Sequence, residues 1–226
     1  MGLQTILSIC ESVGINDQRF VGQTVSRNQR IVTSEYETAV PFVFDMKPMN
    51  YLLYSQSRAV LNTLRIADKA NTQYLNFATT GWENYIAYQG DMTAGEIAAC
   101  EWQTSSANKL LVLGSLPTMG STEYIVRAGD FCQVDSHAYI ATADVMRGSG
   151  STVEIPVHRN LLEELLAVQN AVIGQYGTTI SMDGSTYTGI TFPVKLREYP
   201  TYTLTPMTND SFINWNGSFK AFEFVA

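Results

Sequence analysis

Charged side chains are scarce in this chain of 226 residues. Only 15% of the residues are Asp, Glu, Lys or Arg, whereas about a quarter is usual for a soluble domain. The formal net charge of −7 leaves no excess of Lys and Arg to bind a phosphate backbone. Nucleic-acid binding independent of sequence is therefore not expected. A surface of neutral polar and aromatic groups is typical of β-rich proteins and of subunits that pack against their own copies.

Long apolar runs and cysteines are also few. The longest uncharged stretch, Leu165 to Met182, contains Gln, Asn, Thr and Gly and is too polar to span a bilayer. The first residues, MGLQTILSICESVG, have no basic segment and no cleavage site, so no signal peptide is predicted. Cys10, Cys100 and Cys132 are odd in number and far apart, which predicts buried thiols rather than disulfides or a metal site. We expect a protein assembled in the cytoplasm.

The chain has only two histidines, which limits acid–base and metal chemistry. Cys132 and His137 are five residues apart, and a cysteine hydrolase needs an imidazole within hydrogen-bond reach of its thiol. We expect His137 at an exposed turn and Cys132 inside the preceding strand, which separates them. No HExxH or similar metal-binding spacing occurs. The sequence thus predicts no catalytic residue, no metal and no cofactor, and the chain is not expected to be an enzyme.

Two hairpins are predicted from alternation and turn residues. Apolar and polar residues alternate in Tyr139–Val145 and again in Val153–His158, on either side of Gly148–Ser151. In this hairpin Val153, Ile155 and Val157 should face the core, while Glu154 and His158 face solvent or a neighbour. The dipeptide Asn216-Gly217 predicts a second hairpin at the end of the chain.

Helical spacing appears twice. Apolar residues recur at helical intervals in residues 54–71, and Asn160 to Ile173 reads as a second helix closed by Gly174. Residues 1–34 have no clear period and are predicted to be an N-terminal arm or extension. Residues 35–226 should form one domain with a helical insertion near 160–174. The predicted fold is mostly β (α+β): an antiparallel split β-barrel or sandwich with about two helices and an N-terminal arm.

Three segments resemble a known family. Residues 124–161, YIVRAGDFCQVDSHAYIATADVMRGSGSTVEIPVHRNL, and 199–225, YPTYTLTPMTNDSFINWNGSFKAFEFV, are similar to tail and baseplate structural proteins of tailed bacteriophages, as is PFVFDMKPMNYLLYSQSRAVLNTL at 41–64. Within this family, the similarity is to the tail-tube proteins and to the distal-tail or tube-initiator proteins. LLEELLAVQNAVIGQYG, residues 161–177, is longer than the link expected there. The residues that carry the resemblance are Gly129, Asp130, Phe131, Arg159, Pro200, Trp215, Gly217 and Phe219.

The resemblance implies a structural subunit of the virion tail, at the tail tube or the tube-to-baseplate junction. Such subunits form six-fold rings of split β-barrels around the DNA channel and contact other tail and baseplate proteins. DNA would pass through the lumen without specific binding, and no membrane is involved. The protein would be assembled in the host cytoplasm and end in the virion. Within this motif, Gly129 should make a tight turn and Asp130 should cap it.

Two other classes of protein stay open. A carbohydrate-binding or host-recognition β-barrel of a tail tip would expose Trp102, Trp215 or Tyr202 around a groove, although aromatic residues at strand spacing are more often core or subunit interface. A hydrolase of cell-wall peptide or glycan would have Cys132 and His137 as its nucleophile and base.

Overall fold

The fold is built mainly from short antiparallel strands. The computed structural model describes residues 2–17, 21–25, 30–35, 41–50, 52–67, 71–104, 109–162, 165–177, 179–182 and 185–224. Within them lie twenty-two strands, three α-helices and one 3-10 helix. The central feature is a curled antiparallel sheet that forms half a barrel. The prediction of a mostly β, α+β fold is therefore confirmed.

The helices are short and lie beside the strands. They are α1 (Gly2–Ser8), α2 (Tyr54–Ala67), α3 (Ala94–Ala99) and a 3-10 turn (Glu83–Tyr85). Helix α2 agrees with the helix predicted from residue 54 onward. Helix α3 begins with a capping box, in which the Thr93 side chain accepts a hydrogen bond from the Glu96 backbone and Glu96 accepts one from Thr93.

The strands are numbered in chain order. They are β1 (Cys10–Asn16), β2 (Val21–Val25), β3 (Ile31–Glu35), β4 (Val43–Pro48), β5 (Leu52–Leu53), β6 (Gln73–Asn76), β7 (Glu101–Gln103), β8 (Leu110–Gly114), β9 (Tyr124–Val126), β10 (Phe131–Val134), β11 (His137–Ile140), β12 (Val145–Met146), β13 (Val153–Pro156), β14 (Gln169–Asn170), β15 (Val172–Ile173), β16 (Tyr176–Gly177), β17 (Ile180–Met182), β18 (Ser185–Tyr187), β19 (Thr191–Leu196), β20 (Tyr202–Pro206), β21 (Ser211–Trp215) and β22 (Phe219–Glu223).

A five-stranded sheet in the order β1-β4-β22-β19-β6 encloses the main core. Strand β4 alternates between buried and more exposed residues, with Phe44 and Met46 directed inward. Strand β19 is buried along nearly its whole length, and the Phe192 ring contacts the rings of Phe42, Phe44, Phe77 and Phe131. This aromatic cluster fills the concave side of the half-barrel.

A second sheet, β11-β10-β15-β16, separates two hydrophobic clusters. In β10, Phe131 belongs to the main core, whereas the next residue, Cys132, belongs to a second core with Trp102, Ile155 and other residues. Because neighbouring residues of a strand point to opposite faces, β10 is buried on both faces. The second core is closed by the sheet β13-β8-β7-β14.

The prediction of an N-terminal arm is wrong for residues 2–16. Leu3, Ile6 and Leu7 of α1 are at most 1% exposed and lie in the main core. Strand β1 pairs with β4 and so belongs to the five-stranded sheet. The short apolar runs of this region were too brief to show a period, but their burial makes the segment part of the domain. Strands β2 and β3 form an antiparallel hairpin.

The prediction of a helical insertion near residues 160–174 is also wrong. Strands β14 and β15 occupy the second half of that segment, and β15 turns back into β16 through Gly174 at a φ of 58°. The apolar residues fit a helix by spacing alone. Pairing of β14 with β7 and of β15 with β10 satisfies the backbone instead. The two acidic residues of this segment, Glu163 and Glu164, lie outside the described residues.

The first predicted hairpin is present only in part, and the second is wrong in its pairing. Strand β12 pairs with β9 and β13 with β8, but an antiparallel bridge joins Ala141 to Val157, with hydrogen bonds from the backbone N–H groups of Thr142 and His158 to the opposite segment. Ile155 and Val157 are nevertheless buried as predicted. At the end of the chain, Gly217 makes a turn with φ 92°, but β21 pairs with β20 and β22 with β4. The Asn-Gly turn therefore passes the chain between two sheets, because each strand has partners elsewhere.

Candidate functional site

Two of the residues that carry the resemblance are charged, Asp130 and Arg159, and Arg159 is the more deeply buried. It follows β13, its side chain is 0% exposed, and its guanidinium lies over the rings of Phe42 and Tyr139 at 5.1 and 5.2 Å. Its Nη1 and Nη2 atoms each donate a hydrogen bond of 2.6 Å to the carboxylate of Glu223. Nη2 also donates to the carbonyl oxygen of Ala138 at 2.7 Å. Arg159 thereby joins three sheets, those of β13, β11 and β22.

Glu223 is the partner that sequence reasoning did not assign to Arg159. Its Oε2 atom also accepts a hydrogen bond from the backbone N–H of Phe42 at 3.0 Å. Burial is the largest single influence on Glu223 and would raise its pKa, but Arg159, His137 and the backbone N–H of Phe42 together outweigh it and hold the pKa below its usual value. The pair is separated by 64 residues in the chain. Only the tertiary contact between β22 and the end of β13 brings the two charges together.

The prediction of an exposed His137 is wrong. His137 is only 4% exposed and lies at the start of β11. Its Nδ1 atom is 3.7 Å from Oε1 of Glu223, which is longer than a hydrogen bond. In the β10–β11 pair, His137 stands opposite Val134, whereas Cys132 stands opposite Tyr139. Burial raises the pKa of the Cys132 thiol, the opposite of what nucleophile activation requires. The geometry thus gives no support to a Cys132–His137 hydrolase pair.

The turn at Gly129 and Asp130 has the predicted form. Gly129 has a φ of 101°, which favours glycine, and Asp130 is buried. The Asp130 carboxylate accepts hydrogen bonds from the backbone N–H groups of Arg127 at 2.8 Å and Gln89 at 2.9 Å. Burial raises the pKa of Asp130 in spite of these bonds. The carboxylate therefore caps the turn and attaches it to the segment before α3. Phe131 follows in the core.

The C-terminal motif residues are mostly buried. Pro200 and Phe219 are buried, and Trp215, which is 9% exposed, donates its indole N–H to the carbonyl oxygen of Met49. Trp102 is 0% exposed and donates to the carbonyl oxygen of Gln133. The Trp102 ring is therefore closed to a ligand. Of the other two residues expected to surround a carbohydrate groove, Trp215 lines a small pocket of about 200 Å³ and Tyr202 lines a larger groove.

That groove lies between α2 and the segment that leads into β20, and we call it the α2 groove. Its volume is about 520 Å³. Burial and the nearby Tyr54 raise the pKa of Tyr202, while Arg65 opposes the rise. The Tyr199 hydroxyl donates to the carbonyl oxygen of Leu61 at 3.1 Å. The residues that line the groove are Tyr54, Ser55, Arg58, Ala59, Leu61, Asn62, Arg65, Tyr199 and Tyr202.

The edges of the sheets differ in how they are covered. At β6 the side-chain amide of Gln4 donates to the carbonyl oxygen of Asn76 at 2.7 Å and accepts from its N–H at 2.8 Å, much as a neighbouring strand would. Strand β20 pairs on one side with β21, and no described strand pairs with its other side. Four of its five residues are exposed, including Leu204. One sheet edge is thus sealed and another is open.

The fold places the chain among mostly β, α+β proteins with a half-barrel sheet. Comparison with protein-family models finds no match, and no curated protein is significantly similar to the chain. No helix in the described ranges is long and apolar enough to cross a membrane. Among the same residues, His, Cys, Asp and Glu side chains form no cluster of three or more that could hold a metal ion.

We expect acid to weaken the fold through Glu223. Because the folded pKa lies below the unfolded value of 4.5, the stabilisation is complete above that value and is lost as the pH falls through the folded pKa. The free energy of unfolding, measured by urea titration between about pH 5.5 and about pH 3, should fall more steeply in the wild type than in Glu223→Gln. Parallel pH profiles of the two proteins would contradict this assignment.

Proposed function

We propose that this chain is a structural subunit of a bacteriophage tail, at the tail tube or the tube-to-baseplate junction, and that it assembles as a ring around the DNA channel. The resemblance of residues 124–161 and 199–225 to such proteins supports the proposal. So does the half-barrel sheet, to which the second of these segments contributes β22. The observation that carries the proposal is the open edge of β20, because a ring pairs such edges between subunits.

The hydrogen bonds of β20 show which backbone groups are available. Asn216 donates to the carbonyl oxygen of Thr201, and Met207 donates to that of Asp210. Residues of odd number on this strand are therefore bonded to β21, since hydrogen-bonded pairs alternate along an antiparallel ladder. The N–H and C=O groups of Leu204 then point to the open side. Together with the apolar side chain of Leu204, 44% exposed, they form a template for another strand.

A head-to-tail ring needs two different contact surfaces on each subunit. Strand β1 ends the five-stranded sheet, and no strand of the described part of the chain pairs with its outer side. Most of its residues are exposed or half-buried. We assign β1 of one subunit and β20 of the next to the two sides of the ring contact. Closure then removes edges that would otherwise promote aggregation.

The charge of the chain suits a channel through which DNA slides. With 14 basic and 21 acidic residues, a ring of identical subunits is strongly acidic and does not retain phosphate groups. The buried pair of Arg159 and Glu223 serves this function only by holding three sheets in a fixed arrangement.

The first test is the mass of the purified full chain in solution, together with negative-stain images. We expect six-fold rings or stacked tubes that become more abundant as the concentration rises from micromolar to millimolar. A compact monomer at every concentration would contradict the proposal.

A pair of variants at one position tests the edge itself. Leu204→Pro removes the outward N–H group without removing a bond to β21, so ring formation should be lost while the monomer stays folded. Leu204→Thr keeps that N–H group and a strand-forming side chain, and should still assemble. Sedimentation velocity measures the ring fraction, and circular dichroism measures folding. Equal assembly of the two variants would show that β20 is not the contact.

A further inference from the structure

The α2 groove combines basic and aromatic side chains on the surface of an acidic protein. Arg58 and Arg65 are exposed, and neither forms an ion pair with a carboxylate of the described residues. Asp210, near the start of α2, is already engaged, because it accepts hydrogen bonds from the backbone N–H groups of Ser55 and Ser211. Both guanidinium groups line the groove, where an anionic ligand would meet them.

The two arginines lie on one face of α2. Residues 58, 62 and 65 are spaced by four and three positions, so Arg58, Asn62 and Arg65 project from the same side of the helix. Seven residues of α-helix span about 10.5 Å along the axis. Each guanidinium has five N–H donors arranged to bind a carboxylate or phosphate through two bonds. The helix thus offers two anion-binding groups about the length of a disaccharide apart, with an amide between them.

The opposite wall supplies ring surfaces. Tyr199 and Tyr202 line the groove across from the arginines, and both side chains are partly exposed. The Tyr202 ring is held edge-on against Trp215, with centroids 5.7 Å apart, and the Tyr199 hydroxyl is bonded to α2. Rings fixed in this way lose little conformational freedom when a ligand stacks on them. A volume of about 520 Å³ is within the usual range of small-molecule sites.

We propose that the α2 groove binds an anionic oligosaccharide, with its acidic groups on Arg58 and Arg65 and a sugar ring on Tyr202. Polar sugar hydroxyls match the exposed amide of Asn62, and the apolar face of a sugar matches a tyrosine ring. The site goes beyond the tail-ring function and does not rest on it. A single groove of this kind on each subunit would form a repeated set of sites in any assembly of the chain.

The test measures binding of uronic-acid trisaccharides, namely galacturonate and mannuronate trimers, to the full chain. Calorimetry gives the affinity, and the fluorescence of Trp215 reports stacking on the adjacent Tyr202 ring. We expect saturable binding of at least one trimer that weakens with salt. Maltotriose, which is neutral, and tripolyphosphate, which has no ring, should bind at least about tenfold more weakly.

Matched variants locate the site. Arg58→Gln and Arg65→Gln should each weaken binding about tenfold, as expected for a lost charge-assisted bond. Lys109→Gln removes an exposed positive charge that does not line the groove and should leave binding unchanged. Arg58→Gln leaves the β20 edge intact, so ring assembly and sugar binding can fail separately.

Three results would overturn the proposal. The first is the absence of saturable binding of either uronic-acid trimer to the wild type. The second is equal affinity of the wild type and Arg58→Gln/Arg65→Gln, because the groove would then not be the site. The third is equally tight binding of tripolyphosphate, because the ligand would then be an anion of any kind and not a sugar.

Discussion

Replacement of Arg159 by Met should lower the free energy of unfolding by about 3–5 kcal/mol, the usual cost of leaving one partner of a buried ion pair behind. The Glu223 carboxylate would stay buried, its side chain 0% exposed, without its two hydrogen bonds of 2.6 Å. The carbonyl oxygen of Ala138 would lose its guanidinium donor as well. Urea unfolding followed by circular dichroism measures the loss.

Two further variants separate the charge from the packing. Arg159→Met/Glu223→Met removes both charges and should recover much of the stability, because no unpaired charge remains in the core. Lys47→Met breaks the exposed ion pair of Lys47 with Glu11 and should cost less than about 1 kcal/mol. If Arg159→Met were as mild as Lys47→Met, the pair would not join the three sheets as described. Should Arg159→Met not fold, Arg159→Lys provides the comparison, since lysine cannot make the parallel bonds.

Replacement of Phe192 by Ala should be comparably damaging, with a loss of about 3–5 kcal/mol. The ring is 0% exposed and lies 5.0 to 6.1 Å, between centroids, from four other phenylalanine rings. Its removal leaves a cavity at the centre of the half-barrel, and the surrounding rings cannot close it without leaving their own positions. Denaturant unfolding measures the loss of stability.

The cavity itself gives a second measurement. Benzene should bind the Phe192→Ala protein and raise its melting temperature, while leaving that of the wild type unchanged. Phe222→Ala is the matched control, because Phe222 lies in the adjacent strand β22 of the same sheet but is only half-buried. It should lose clearly less stability than Phe192→Ala. Equal losses would mean that the aromatic cluster is not the centre of the core.

Local sequence signals predicted the elements that depend on neighbouring residues. The helix starting at residue 54, the turn at Gly129 with its Asp130 cap, and the burial of Ile155 and Val157 all follow from spacing or turn chemistry. In each case the determining interactions lie within a few positions of one another.

The candidate site was predicted only in part. Arg159 was singled out by the resemblance, but its partner Glu223 and the position of His137 beside them were not. Arg58 and Arg65 lie within the helix that the sequence predicts, but nothing in the sequence placed Tyr199 across from them. The i, i+4, i+7 spacing of Arg58, Asn62 and Arg65 was a signal for a polar face but not for a groove.

The sequence by itself determined the class of fold, the burial of the cysteines and the chemistry of the turns, because these depend on composition and on alternation along single strands. The tertiary structure decided which strand pairs with which, because backbone N–H and C=O groups are alike on every strand and do not specify a partner. For that reason the segment 160–174 became strand pairs rather than a helix, and α1 entered the core. The contact of Arg159 with Glu223 and the α2 groove exist only once those pairings are made.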